Sequence, residues 1–266
     1  MTSGIRSGIL QFTYPESDSS FILLDMNHTL WQSCPWSNLR VENDSTLVGY
    51  KLVKGWGPER HVYFTAVFSK PFRDFGIMQD TIPVKYNTNR FRSSLEAWGK
   101  DLRFWMRFPT RQGEVVTVKT AVSAVSSDGA KLNMQELEGK TFASLKAEGE
   151  KLWEGQLSKF KIEATPEQRE TFYTSVYHAF LHPFIFQDAD GKFRELDKNI
   201  GQAEGFTNYT VFSLWDTYRA LHPLFNLVQR DINADIVNSM LAHYDKSVEH
   251  MLPVWSFYGC LLYTSD

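Results

Sequence analysis

Cysteine is scarce in this sequence: Cys34 and Cys260 are the only two in 266 residues. Two are too few for a disulfide framework, and they lack metal-ligand spacing, so free buried thiols are the default expectation. Long apolar runs are also missing. No window approaches the roughly 20 apolar residues that a membrane-spanning helix needs. Charge of one sign is not in excess. The net charge is −3 with no basic stripe, so nothing points to nucleic acid as a partner. The opening residues, MTSGIRSGILQF, contain no apolar h-region, and no signal peptide is visible. That start reads as internal to a longer protein.

What is abundant is apolar and aromatic. Hydrophobic residues make up 42% and aromatics 15%, enough to bury a core in one large or two ordinary domains. The 20 Phe, 11 Tyr and 8 Trp suit carbohydrate contact, but a large all-β core produces the same count.

From Gln11 to about Asn133 the pattern is that of strands. The runs beginning at Phe21, Leu47, His61 and Val115 are rich in β-branched and aromatic residues. Clusters of turn formers separate them: Glu42-Asn-Asp-Ser, Gly55-Trp-Gly-Pro and Ser126-Ser-Asp-Gly. Many strands without intervening helices predict a β-sandwich. Trp31, Trp36 and Trp56 fall in its loops. They could form a sugar platform, but core or loop packing is the commoner fate of Trp and is the expectation here. The sequons at Asn27, Asn43 and Asn208 are short enough to arise by chance and receive no function.

Between 135 and 164 the period changes. Leu137, Leu145, Leu152, Trp153 and Leu157 stand among Lys and Glu, with Gly139, Gly149 and Gly155 weakening the helix, which predicts a helical linker. Thr165-Pro-Glu-Gln168 is then a clear helix start, with a capping Thr, Pro at the first position and Gln three residues on. Phe172, Tyr173, Val176, Tyr177 and Phe180 form its apolar stripe, leaving His178 and His182 off it. Asp190-Gly191 between apolar runs predicts a hairpin turn. Asp188-x-Asp190-Gly191 has a calcium-loop flavour, but Phe186 stands where a further ligand belongs, and the metal reading is rejected. Further on, Asp231 is expected to cap a helix whose apolar face is Ile236, Val237, Met240, Leu241 and Tyr244.

The chemistry-bearing stretch is NYTVFSLWDTYRALHPLFNL, residues 208–227. Residues 211–221 are read as one helix that Pro223 ends or kinks. Val211, Leu214, Tyr218, Leu221 and Phe225 share a core side, and Phe212, Trp215, Asp216 and Arg219 share a second one. Aromatic rings beside a carboxylate and a guanidinium suit a sugar, because rings stack on C–H faces and charges bind hydroxyls strongly. A local Asp216–Arg219 ion pair with Trp215 in the core fits the same residues. The residues alone leave both open.

The run FSLWDTYRALHPL, then DIVNSMLAHY, then LPVW, resembles the signature of glycoside hydrolase family 92, the α-mannosidases. TYPESDSSFILLDMNHTL, HVYFTAVFSKPF, VTVKTAVSAVSSDGAKLN and ETFYTSVYHAFLHPFIFQDADGKFR are similar to further segments of that family, in the same order. The resemblance implies a mixed, two-domain fold: the C-terminal portion of a β-sandwich over 1–134, a helical linker over 135–164, and the start of an (α/α)6 barrel over 165–266. It implies a fragment of an inverting, calcium-dependent exo-α-mannosidase acting on mannose-rich glycans or glycoproteins, in an extracytoplasmic location. Substrate contact is expected at Trp215, Asp216 and Arg219.

An inverting glycosidase needs a carboxylic acid and a second carboxylate roughly 6.5–9.5 Å apart. In the family, an Asn-Glu element follows LPVW, and its Glu is the general acid. Here 252–259 match, but Cys260 and Leu261 stand where Asn and Glu are expected. The stretch 260–266 reads as a departure from the family, such as a truncated or chimeric end. No residue of the chain is therefore assigned as catalytic or as a metal ligand, and the calcium ligands are expected downstream. Two other readings fit: a non-catalytic carbohydrate-binding or scaffold protein, and a glycan-releasing amidase.

Overall fold

The computed structural model describes residues 1–55, 59–83, 95–210, 214–247, 250 and 252. The chain divides into two compact units, Met1–Leu145 and Lys146–Asp266.

The first unit holds two antiparallel sheets. One runs in the order β1 (Thr2–Ser3), β2 (Ser7–Tyr14), β11 (Glu114–Ser123), β6 (Arg60–Phe68), β5 (Thr46–Lys54), β4 (Ser33–Val41), β9 (Leu95–Gly99). The other runs β3 (Ser17–Asp25), β10 (Leu102–Thr110), β7 (Asp74–Gln79), β8 (Ile82–Pro83). Strand β10 shows why the sheets stack. Leu102, Phe104, Met106, Phe108 and Thr110 are buried, whereas Arg103, Trp105 and Arg107 alternate outward. A period of two with one apolar face demands a covering layer. Leu39, Val41, Leu47, Phe68 and Val118 from the larger sheet supply it. The expected sandwich is therefore present, and a helical region follows it.

Two local readings change. Ser126-Ser-Asp-Gly129 opens a helix, α1 (Ser127–Met134), instead of a turn. Ser126 accepts a hydrogen bond from the Gly129 N–H, a capping bond that a turn-like composition can equally supply. A short 3-10 turn (Gln135–Leu137) follows. Ile9, Leu137 and Leu145 then form a small second cluster. Glu136 ties this region to the sheet by accepting from Arg6 Nη1 at 2.7 Å and from Ser7 Oγ at 2.9 Å.

The tryptophans also differ from expectation. Trp31 is fully exposed and Trp36 is 45% exposed, while Trp56 lies outside the described residues. In β4, Ser37, Leu39 and Val41 are buried, so the alternation turns Trp36 to the other side. Trp98 of the neighbouring β9 is exposed as well.

The second unit takes up most of α2 (Phe142–Leu157), then α3 (Pro166–Ala179). The α3 start follows the sequence: Thr165 Oγ1 accepts from the Gln168 N–H, and the Thr165 N–H donates to Gln168 Oε1 at 3.1 Å. Thr165→Ala should therefore cost about 1 kcal/mol in chemical denaturation, and Thr165→Asp should retain most of the stability. Of the α3 stripe, Val176 is buried, and Phe172, Tyr173 and Phe180 are half-buried. Tyr177 stacks on Trp153 with ring centroids 4.5 Å apart.

After α3 come β12 (Phe184–Ile185), β13 (Lys192–Arg194), β14 (Ile200–Gln202) and β15 (Tyr209–Thr210). Asp190-Gly191 is a turn, closed by the Gly191 N–H on the Asp188 carbonyl, with Gly191 at φ +83. It is not the hairpin expected between its flanking runs. Strand β12 pairs with β15, and β13 pairs with β14. The Asp190 carboxylate receives the Lys192 ammonium at 2.7 Å.

Candidate functional site

The helix expected over 211–221 is not continuous. A four-residue helix, α4 (Leu214–Thr217), is followed by a turn at 218–220 and by α5 (Leu221–Val228). Residues 211–213 and the Trp215 side chain lie outside the described residues. Proline chemistry gives the reason for the break. Inside a continuous helix the Pro223 ring would strike the carbonyl of the residue four positions earlier, Arg219, and would leave it without a donor. The chain therefore breaks just there and restarts, placing Pro223 in the first turn of α5, where its missing N–H costs nothing.

The break redistributes the predicted faces. Phe225 is buried, and Leu214 and Leu221 pack beside it, but Tyr218 stands 53% exposed in the turn. Asp216 sits exposed in α4. Arg219 lies beyond the helix, where its Nε donates to the Tyr218 hydroxyl and its guanidinium rests 5.2 Å from that ring. Asp216 and Arg219 are thus close in sequence but belong to different pieces of backbone.

Beneath this stretch lies the core of the unit: Tyr209, Phe225 and Ile236, with Phe180, Ile185, Leu214, Leu221, Ile232 and Met240 around them. Ile232, Ile236 and Met240 come from α6 (Arg230–Lys246). Asp231 is not the cap of that helix. The capping position is Gln229, and Asp231 falls in the first turn, where its charge still favours the helix dipole. The inward face is also rotated from expectation. Ser239 and His243 are buried, whereas Val237, Leu241 and Tyr244 are exposed. A helix turns its face to whatever it packs on, and here a serine and a histidine lie on that side.

Ser239 and Asn208 both have work that composition did not signal. Ser239 Oγ accepts the Tyr209 N–H at 2.9 Å and donates to the Asp235 carbonyl at 2.7 Å. The one signal in the sequence is its spacing, three residues after Ile236 on the same face. Asn208, fully buried, donates its N–H to Gln187 Oε1 at 2.7 Å and its amide to the Phe186 carbonyl at 2.8 Å. Tyr209 also lines an open cleft of about 310 Å3 with Trp153, Phe180, Phe184, Ile185 and Gln229. Asp216 and Arg219 are not among its lining residues.

Burial pushes His243 down to about 4 from the ordinary 6.5, so it is neutral in the fold. The unfolded chain binds this proton more readily. His243 therefore leaves stability untouched above about pH 6.5 and lowers it progressively as pH falls toward 4, by about 3 kcal/mol in all. The difference between wild type and His243→Gln, followed by denaturation from pH 7.5 to 4, should show that slope. Burial also lowers His222, and it raises the Glu195 carboxyl, which Lys246 at 3.7 Å partly offsets.

The segment holding LPVW and Cys260 lies outside the described residues apart from Leu252. Among the described residues, no group of three or more His, Cys, Asp or Glu could hold a metal ion.

Two antiparallel sheets followed by a helical region define a two-part protein with a β-sandwich ahead of helices. The particular family follows from comparison with known proteins. Residues 1–123 match the glycosyl hydrolase family 92 N-terminal domain, and residues 129–264 match the glycosyl hydrolase family 92 catalytic domain. The chain belongs to glycosyl hydrolase family 92. The second match runs through Cys260 and Leu261, so the similarity does not stop at the departure noted there.

Among solved structures, the chain is 70% identical to the family GH92 α-mannosidase BT3965 from Bacteroides thetaiotaomicron, with a TM-score of 0.93 over 97% of this chain and 35% of that one. Against the same enzyme in complex with mannoimidazole the identity is 71% and the TM-score 0.94, over 98% of this chain and 34% of that one. The family GH92 inverting mannosidase BT2199 from the same organism shares the fold at 23% identity, with a TM-score of 0.82 over 96% of this chain and 33% of that one. The chain spans about a third of the length of these solved chains. A comparison with curated proteins gave no match. No helix among the described residues is long and apolar enough to cross a membrane.

Proposed function

We propose that the protein carrying this segment is an inverting, calcium-dependent exo-α-mannosidase that removes terminal α-mannose from mannose-rich, N-linked glycans outside the cytoplasm. The observation that carries the reading is the 70% identity to an α-mannosidase along nearly the whole chain, together with two consecutive family domains. In this reading Trp215 stacks on the sugar, Asp216 accepts hydrogen bonds from its hydroxyls, and Arg219 donates to its ring substituents. The helical region opens an (α/α)6 barrel. The proton-donating acid and the water-activating carboxylate are read as lying outside these 266 residues, which by themselves are expected to be inert.

The test is to assay the full-length protein on an aryl α-mannoside, with and without a calcium chelator. Chelator-sensitive release of mannose with inverted configuration at the anomeric carbon is the expected result. A full-length protein inert on α-mannosides would remove the reading and leave a carbohydrate-binding protein in its place.

A further inference from the structure

We infer that Ser239 and Gln187 are positioning residues for the mannose site: they fix the strand from which the Trp215–Asp216 segment departs. This rests on the reading of Asp216 as a sugar contact, and it goes beyond that reading to residues that touch no sugar.

The argument begins with backbone donors. Strand β15 is only two residues long and pairs with an equally short strand, β12. So short a ladder does little to hold its position. The consecutive N–H groups of Asn208 and Tyr209 do not go to backbone carbonyls. They go to side chains from two separate places, Gln187 Oε1 at 2.7 Å and Ser239 Oγ at 2.9 Å. Ser239 is wholly buried, and its hydroxyl donates onward to the Asp235 carbonyl at 2.7 Å, which holds its lone pairs toward Tyr209. The Tyr209 ring enters the same core as Leu214 and Leu221, on either side of Asp216. The stretch that carries Asp216 is thus anchored at both ends in one cluster, and side-chain acceptors set the height of its first anchor. A hydroxyl contact tolerates little displacement, so a shift of this strand is felt at the sugar.

Two measurements test the proposal. Hydrogen exchange on this chain reads the anchor itself. Ser239→Ala should speed exchange of the Tyr209 amide about tenfold, and Gln187→Ala should do the same for Asn208. On the full-length protein, each variant should lower kcat/KM for an aryl α-mannoside about tenfold, and that loss should vanish when Asp216→Ala is already present. A general loss of folding would instead add to the Asp216→Ala effect, so the cycle separates positioning from stability. Unchanged exchange overturns the proposal whatever the activity. Faster exchange with normal kcat/KM, in a protein that Asp216→Ala cripples, also overturns it. A full-length protein that turns over normally with Asp216→Ala overturns the sugar-contact reading itself, and the positioning role with it.

Discussion

Asp216→Ala in the full-length protein is expected to lower kcat/KM on an aryl α-mannoside by about a hundredfold or more. A carboxylate accepting a sugar hydroxyl makes a charge-assisted bond, worth roughly 1.5–3 kcal/mol, and one that grips two hydroxyls contributes about twice that. Each 1.4 kcal/mol is about a factor of ten in rate. Asp216 is exposed in α4, so its loss leaves no buried charge behind, and the thermal stability of this segment should change little. Asp216→Asn, which keeps one acceptor but not the charge, should fall between wild type and Ala. A variant within threefold of wild type would mean that the carboxylate faces solvent in the working enzyme.

Phe104→Ala should have the largest effect on stability, about 3–5 kcal/mol. Phe104 is wholly buried in β10, with ring centroids of Phe72, Phe75 and Phe68 at 5.2, 6.1 and 6.3 Å. Truncation removes its transfer energy and leaves a cavity that sheets held on both sides cannot close. Phe104→Leu should cost noticeably less, because most of the volume remains. The measurement is urea denaturation of this chain followed by circular dichroism, where the midpoint should drop with little change in slope. A loss below about 1 kcal/mol would show that the two sheets do not share one core.

The sandwich was legible from local pattern because each strand repeats its own evidence. The alternation of Leu102, Phe104, Met106 and Phe108 with Arg103, Trp105 and Arg107 declares a strand with one buried face. The capping box at Thr165 is equally self-contained, because its partners lie three residues apart. The kinship was legible as well. Long segments in family order make a signal that no single motif could, and it survives even where Cys260 and Leu261 replace the expected residues.

Other features depended on partners far away in sequence. Apolar periodicity shows that a residue belongs on a stripe, but not whether that stripe is covered. Val237 and Leu241 are as apolar as Ile236, yet α6 leaves them exposed with Tyr244 and turns Ser239 and His243 inward. Trp31 and Trp36 look like core residues by type and stand exposed by geometry.

By itself, then, the sequence determined the class of fold, its order along the chain, and the family. Those properties are carried by near neighbours and by repeated pattern. The tertiary structure alone decided which faces are buried and how the Trp215–Asp216 stretch is held. The Tyr209–Ser239 bond joins residues 30 positions apart, and the Asn208–Gln187 bond joins residues 21 apart. Contacts of that range are set by packing, which no local spacing encodes.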